Sequence, residues 1–415
     1  MIMKIPQQCA GFVSMSTDDI ERAAVLTKLD NGGISLLILT VDRSEYRKDQ
    51  DLIHAAFNDL GAVTLIDCQF NGLKIGAAGY MQTYLVNTVI SGHAYSSKSE
   101  LQFKVGLFDM GDYGDWLRER FYDHTYDDSS LKTIHFVNPK QLNIPVPHTE
   151  ECYISWGNTI RNKRMSFEYE QRVFFYISFE SIQILSKFFN IRYRLQHIMS
   201  MLSGIHSSID LVELDQIEGR RIQCYKKSIA SEHNRTFFKG SMFEDVKSDI
   251  PIYLSKWLSN SRIASIGDLL LSRYQQRYIN LEQDFLNSCF AMESIHRCMY
   301  PDRVQMKPDV FKEHMRGLSK TKLDPEFLQL LKNKNRYGYE MTFRNRLREL
   351  NLLITDEPQF SKEDIHNIVT QRNSLVHQLT DDIENSFDYR LMTQRMENSL
   401  RFILLSYLKE ADLVN

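Results

Sequence analysis

The chain has 415 residues, of which 43% are hydrophobic and 25% charged, and its formal net charge is −3. That length exceeds one ordinary core and implies two or three domains, and the composition is that of a folded, soluble protein. The near-neutral charge excludes a polycation, so a nucleic-acid partner would have to be held by a local basic patch. The six cysteines, Cys9, Cys68, Cys152, Cys224, Cys289 and Cys298, form no CxxC pair and lie far apart. This spacing argues against structural zinc, an iron–sulphur cluster or a disulfide scaffold, and for a reducing cytoplasmic setting.

In chain order, the opening MIMKIPQQCAGFVS has no long apolar core behind its lysine, so no signal peptide is expected. The longest strongly apolar stretch, ISLLILTV at 34–41, suits a strand and is too short to span a bilayer, so no membrane partner is expected either. GGISLLILTV, GAVTLIDCQF, TYLVNTVISGHAY and LQFKVGLFD are β-branched and aromatic runs punctuated by Gly, Asn and Asp. TIHFVN, ECYISWG and RVFFYISF continue the habit. Many strands without alternating helices favour a sandwich or barrel-like domain over a doubly wound fold. SIQILSKFFNIRYRLQHIMSMLSG is compatible with a helix, or with a strand followed by a helix, and 207–245 is ambiguous.

From about residue 248 the chain reads as helical. DIPIYLSKWLSN is a short helix, and the stretch from Ile266 to Tyr300 holds two helices or one broken one, with Phe285, Cys289, Met292 and Ile295 as an inward stripe. Phe343, Leu347 and Leu350 are at helical spacing. Ser361 and Asp364 form a capping box ahead of Ile365, Ile368, Val369, Leu375 and Val376. Met392, Met396, Leu400, Ile403 and Tyr407 mark the buried face of a last helix, and the whole suggests a compact bundle. The expected division is a β-rich domain over 1–235 and a helical bundle over 236–415.

Within that bundle TQRNSLVHQL, at 370–379, sets Arg372, Asn373 and His377 on one helix. Asn373 and His377 are four apart and share a face, whereas Arg372 is about 140° from His377. Histidine moves protons near neutrality and arginine offers a fork of donors to phosphoryl oxygens, a pair suited to phosphodiester transfer. The spacing by itself is weak: Arg192 and His197 in RYRLQH repeat it, without the asparagine. A solvated helix face supplies the same residue types. The stretch KNKNRYGYEMTFRNRLRE adds Lys332, Lys334, Arg336, Arg344, Arg346 and Arg348, interleaved with Tyr337 and Tyr339. Lys332, Lys334, Arg336, Arg344 and Arg348 are the candidate RNA contacts, since cations and aromatic faces suit a single strand; a charged solvent face reads the same way. Arg220, Arg221, Lys226 and Lys227 form a second basic group. In the N-terminal part Asp67, Asp109, Asp112 and Asp115, like His93, His135 and His148, show no catalytic or metal-ligating pattern, and no GxGxxG or GxxxxGK[ST] occurs.

RNSLVH matches the Arg-Asn-x-x-x-His motif and resembles that of the HEPN superfamily, helical-bundle domains that include metal-independent ribonucleases. The chain as a whole resembles the ApeA-like proteins, which join a β-rich N-terminal domain to a C-terminal HEPN domain. GGISLLILTV, GAVTLIDCQF and FDMGDYGDWLRE resemble the N-terminal region; LEQDFLNSCFAMESIHR resembles the first long HEPN helix, with Glu293 in its usual acidic position. The resemblance implies an α+β, two-domain protein: a β-rich sensor or regulatory domain, then an all-α HEPN-type bundle. It implies a metal-independent endoribonuclease without cofactor, acting through the RNA 2′-hydroxyl in toxin-like, abortive-infection defence against phage. The partners implied are an RNA substrate, a phage-derived trigger, and a second copy of the chain in a homodimer or higher oligomer through the HEPN domain. Arg372 would bind the phosphate, His377 act as general base or acid, and Asn373 orient the histidine or the RNA backbone. Glu293 would hold Arg372 or pair with Arg297. The competing reading is a catalytically inactive HEPN-type module that binds RNA or protein. Thr380 stands where some members carry a tyrosine that a partner enzyme modifies, so that regulation is not expected here.

Overall fold

The computed structural model describes residues 5–15, 21–30, 32–40, 48–76, 79–119, 122–127, 130–136, 139–163, 166–216, 221–226, 240–271, 280–318, 320, 324–334, 338–355, 358–377 and 387–410. Arg220, Lys227, Arg336, Tyr337 and Thr380 lie outside them, as do the side chains of His135, Lys332 and Lys334. The chain divides into two compact units, 1–236 with 240–259, and 237–239 with 260–415.

The first unit begins with six strands, β1 (Gln8–Met15), β2 (Arg22–Lys28), β3 (Ile34–Thr40), β4 (Gln50–Phe57), β5 (Gly61–Gly76) and β6 (Gly79–Ser91). They pair antiparallel in the order β6-β3-β2-β1-β4-β5, and β5 pairs in turn with β6, so the sheet closes into a barrel. Closure removes the free edges that an open sheet exposes. Every second residue points inward: Ala24 and Leu26, Ile34, Leu36 and Ile38, Ile53, Ala55 and Phe57, Val63 and Leu65, Tyr84 and Val86 fill the interior. The glycine-led apolar run GGISLLILTV is thus a barrel stave, as its texture predicts.

Strand β6 is longer than its neighbour β3. Tyr80–Val86 pair with β3, while Thr88–Ser91 pair with a later strand. The second sheet grows from that overhang. After β7 (Gln102–Asp109) come a single turn, α1 (Tyr113–Trp116), the hairpin β8 (Tyr122–Asp127) and β9 (Ser130–Phe136), then β10 (Leu142–Asn143), β11 (Thr149–Lys163) and β12 (Ser166–Ile184). The long helix α2 (Leu185–Ser203) follows directly, then β13 (Asp210–Asp215) and β14 (Arg221–Lys226). The sheet order is β10-β11-β12-β7-β13-β14-β6. The segment that reads as helix, or as strand then helix, is therefore the second. Two strands also emerge from the ambiguous 207–245.

Helix α2 covers one face of this sheet. Phe188 is fully buried, with ring centroids 6.3 Å from Phe103 and 5.7 Å from Phe179. It reaches the sheet because β7 carries Gly106 beneath it: a Cβ there would lie 2.6 Å from Phe188 Cδ1. After α3 (Phe243–Val246), helix α4 (Ile250–Ser259) packs on α2. The Trp257 Nε1–H donates to the Arg194 carbonyl at 2.9 Å, and Arg194 Nη1 donates to the Leu258 carbonyl at 2.6 Å. Helix α4 therefore belongs to the first unit, its indole buried against α2.

The second unit comprises α5 (Ser261–Leu271), α6 (Leu281–Met299), α7 (Pro308–Leu318), α8 (Pro325–Lys334), α9 (Phe343–Asn351), α10 (Lys362–His377) and α11 (Tyr389–Glu410). Helix α6 packs against α5, α9, α10 and α11. Its start is capped by Asn280, whose side chain accepts from the Glu282 and Gln283 amides at 3.0 and 3.1 Å. Phe285, Cys289, Met292 and Ile295 are all buried, as is the Met392, Met396, Leu400 and Ile403 stripe of α11, while Tyr407 is half-buried. Ser361 and Asp364 cap α10 reciprocally, the Ser361 amide on Asp364 Oδ2 at 2.9 Å and the Asp364 amide on Ser361 Oγ at 3.0 Å. Val376 departs from the expected stripe and is exposed. The expected α+β architecture, a barrel-like β-rich domain ahead of a helical bundle, is the one observed.

The glycine gap under Phe188 gives a direct test. Gly106→Ala should overpack the seam between β7 and α2 and cost about 1–3 kcal/mol. The measurement is the urea midpoint of the full chain, which should fall with little change in slope.

Candidate functional site

The rotational phase of α10 decides where its polar residues point. Gln371 and Ser374 are buried, and Gln371 Oε1 accepts from the Tyr389 hydroxyl of α11 at 3.0 Å. With those two turned inward, Asn373 and His377 fall on the exposed side. Arg372 is directed back into the bundle, and its side chain is 21% exposed. Its guanidinium lies over Phe290 and Phe343, 5.9 and 5.5 Å from the ring centroids. Nη1 donates to Asn373 Oδ1 at 3.1 Å. Nη2 is 3.6 Å from Glu293 Oε2, which is attraction without a hydrogen bond. The buried Nε–H has no hydrogen-bond partner among the described residues.

Arg372, Asn373 and Glu293 are thus brought together, whereas among the described residues no hydrogen bond or ion pair joins His377 to Arg372. The Asn373 side-chain oxygen accepts from Arg372. Glu293 faces both of its expected partners, Arg297 at 3.1 Å and Arg372 at 3.6 Å. Of the candidate RNA contacts with described side chains, Arg344 is half-buried, with Nη2 3.3 Å from His366 Nδ1, and Arg348 is exposed.

Arg346 stands between those two in sequence but not in space. It is 3% exposed and lies under Glu293, with Nε 4.0 Å from Glu293 Oε1. Nε donates to the Met341 carbonyl at 3.1 Å and Nη1 donates to His296 Nδ1 at 3.0 Å. Because Nδ1 accepts, the His296 proton is on Nε2, which donates to Glu349 Oε2 at 2.9 Å. Arg303 grips the other Glu349 oxygen with Nε and Nη2 at 3.2 and 3.1 Å. The sequence carries a signal that both Arg346 and His296 face inward. His296 extends the 285, 289, 292 stripe by four, and Arg346 lies at i+3 in the Phe343, Leu347, Leu350 stripe. A polar residue on an apolar stripe marks a buried network.

The second Arg-x4-His spacing shows what the same pattern looks like without such a site. Arg192 and His197 lie on α2 in the core of the first unit, with Arg192 Nε on the Ile209 carbonyl and Nη2 3.6 Å from Asp210. His197 is 1% exposed, and burial, with His206 adding, depresses its pKa to about 3. An imidazole held neutral inside a core cannot meet a substrate. A cavity of about 530 Å3 in the same unit is lined by Asp49, Asp51 and Asp67, a sign of charge that repels nucleic acid. Lys98 offsets part of it, at 2.9 Å from Asp51 and 2.7 Å from Asp67. Among the described residues no group of three or more His, Cys, Asp or Glu side chains is arranged to hold a metal ion, and no helix is long and apolar enough to cross a membrane.

Protonation of the buried network follows from its surroundings. Burial lowers the His296 pKa; the hydrogen bond to Glu349 opposes this and the Arg346 charge adds to it. Burial alone would raise Glu349, but hydrogen bonds from His296 and Arg303 outweigh it and leave the carboxyl below its ordinary value. Both groups are depressed on folding, so the unfolded chain binds protons that the folded one refuses. Their contribution is full at neutral pH and is lost on acidification, starting below about pH 6.5 for an imidazole and about 4.3 for a carboxylate. Protection of α6 and α9 amides from hydrogen exchange, corrected for intrinsic rates, should decline between pH 7 and pH 5.5. The decline should be smaller in His296→Gln, and a flat wild-type profile would contradict a buried neutral imidazole.

A search of the curated proteins and a search of the solved structures each return no match. Two family models do match: ApeA N-terminal domain 1 over residues 9–257, and Apea-like HEPN over residues 286–413. The first spans the barrel, the second sheet and most of α4; the second runs from α6 to α11 and contains Glu293, Arg346, Arg372 and His377. Apea-like HEPN domains are characteristically metal-independent RNA-cleaving modules, often found in defence systems. The chain belongs to the ApeA family, an N-terminal ApeA domain joined to an Apea-like HEPN domain, and is classed with the HEPN-type endoribonucleases.

Proposed function

We propose that Arg372 and His377 carry the RNA cleavage, and that two copies of the chain meet to complete the site. The observation that supports this most is the state of Arg372. It is held by Phe290, Phe343 and Asn373 while its Nη2 makes no hydrogen bond among the described residues, so a pre-placed cation retains donors for a phosphate. His377 is exposed at the end of the same helix, about 140° round from Arg372. A second copy, related by a two-fold axis, would present its own histidine to that phosphate.

The reaction needs only groups the RNA and these side chains supply. A base takes the proton of the ribose 2′-hydroxyl, whose oxygen attacks the adjacent phosphorus. The bond to the 5′-oxygen breaks, and that oxygen receives a proton from an acid. The products are a 2′,3′-cyclic phosphate and a 5′-hydroxyl. Histidine is suited to both proton transfers, and Arg372 stabilises the charge that builds on the phosphoryl oxygens. Arg344 and Arg348, one turn apart on α9, would contact the RNA backbone outside the reacting bond. The ApeA N-terminal domain would restrain the nuclease until a phage-derived trigger binds it.

Purified full-length protein should cleave RNA in EDTA and leave 2′,3′-cyclic ends, read by end-specific labelling. Arg372→Ala and His377→Ala should each lower the rate at least a hundredfold with unchanged helical circular dichroism. Full activity in both variants would remove the assignment. RNA affinity that survives both, with no cleavage by the wild type, would instead favour a binding module.

A further inference from the structure

We infer that Arg346 is a positioning residue for the phosphate site: by sharing the Glu293 carboxylate it keeps Arg372 from being clamped and leaves that guanidinium open to a phosphate. The inference rests on the reading of Arg372 as the phosphate-binding group.

Glu293 has two oxygens and three guanidinium neighbours. Oε1 faces Arg297 Nη2 at 3.1 Å and Arg346 Nε at 4.0 Å, while Oε2 faces Arg372 Nη2 at 3.6 Å. Arg297 is 52% exposed and shares its charge with Glu340 at 3.5 Å, so its hold is screened and loose. Arg346 cannot leave. Its hydrogen bonds to the Met341 carbonyl and to His296 fix the guanidinium plane, Glu349 fixes His296, and Arg303 fixes Glu349. The sequence of contacts Arg303–Glu349–His296–Arg346 thus holds one buried positive charge beneath Glu293.

That charge acts on Arg372 through Glu293: it offsets part of the carboxylate field that Arg372 feels, an effect that falls off slowly in a low-dielectric site. With Arg346 removed, Glu293 would keep only the exposed Arg297 as a counter-charge besides Arg372, and Arg372 would close the 3.6 Å gap into an ion pair. A phosphate would then have to break that pair before binding. Arg346 therefore affects the phosphate through Glu293, without touching it.

A double-mutant cycle separates this from simple loss of positive charge. The readout is the dissociation constant of the full chain for a mixed-sequence 2′-O-methyl RNA oligonucleotide, which cannot react, at fixed salt. Arg346→Gln should weaken binding about tenfold in the wild-type background and less than twofold in the Glu293→Gln background. Arg346→Lys, which keeps the charge, should stay within twofold of wild type. Equal weakening by Arg346→Gln in both backgrounds, no weakening, or a tenfold loss in Arg346→Lys each overturns the inference. Affinity unchanged by Arg372→Ala overturns the underlying phosphate reading as well, which tells the two failures apart.

Discussion

One carboxylate, Glu293, sets the terms for the helical unit. Its side chain is 22% exposed, too buried to be left unpaired at modest cost. Its partners come from three helices: Arg297 from α6 itself, Arg346 from α9 and Arg372 from α10. Apolar burial holds those helices together but is not directional; the stripe of Phe285, Cys289, Met292 and Ile295 would tolerate small rotations of its neighbours. Charged groups with fixed donors tolerate fewer. Glu293 thus converts a hydrophobic contact into a defined phase for α9 and α10. Cys289, one turn before it, feels the same constraint, since burial pushes its thiol well up, with the Arg372 charge opposing and the Glu293 charge adding.

The polar network below Glu293 costs desolvation and returns placement. Arg346 and His296 replace what would otherwise be apolar side chains on two core stripes, and a well-packed apolar pair there would be no less stable. Each buried polar atom named in the network has a partner, so the arrangement is rigid rather than frustrated. Burial lowers the Arg346 pKa, with Arg297 adding and Glu293 opposing. A group under that strain is kept in place by geometry and not by charge alone. The network is most economically explained by what it positions.

Much of this architecture is legible in the sequence, and the residues show why some is not. A glycine-led apolar run identifies β3, and the Ser361–Asp364 pair identifies the start of α10, because both signals lie within a few residues. The barrel closure is not legible: β5 and β6 form a hairpin, but nothing in β3 names the more distant β6 as its partner. DIPIYLSKWLSN reads correctly as a helix, but its period says only that one face is apolar. That Trp257 of α4 meets Arg194 of α2 is a tertiary fact. At the site, RNSLVH identifies α10, and the direction of Arg372 relative to His377 follows from helical geometry. Composition groups Arg346 with Arg344 and Arg348, although it is not among the candidate RNA contacts. Periodicity separates them: 344 and 348 share a face, and 346 is on the side of Phe343, Leu347 and Leu350.

In the proposed reaction the same geometry favours a site shared by two chains. Five residues of helix carry His377 about 7.5 Å along the axis from Arg372 and about 140° around it. Gln371, pinned by Tyr389, and the buried Ser374 prevent α10 from rolling to bring both side chains to one side. Arg372 is held by Asn373 and two rings, so it would not swing out to follow the histidine without losing those contacts. Arg372 is thus turned inward while the His377 of the same chain is on the exposed side of α10. A second α10 running antiparallel across the first would bring each histidine toward the other copy's arginine with neither helix altered. The separation that weakens Arg-x4-His as a motif within one chain is the separation that a two-fold axis would use.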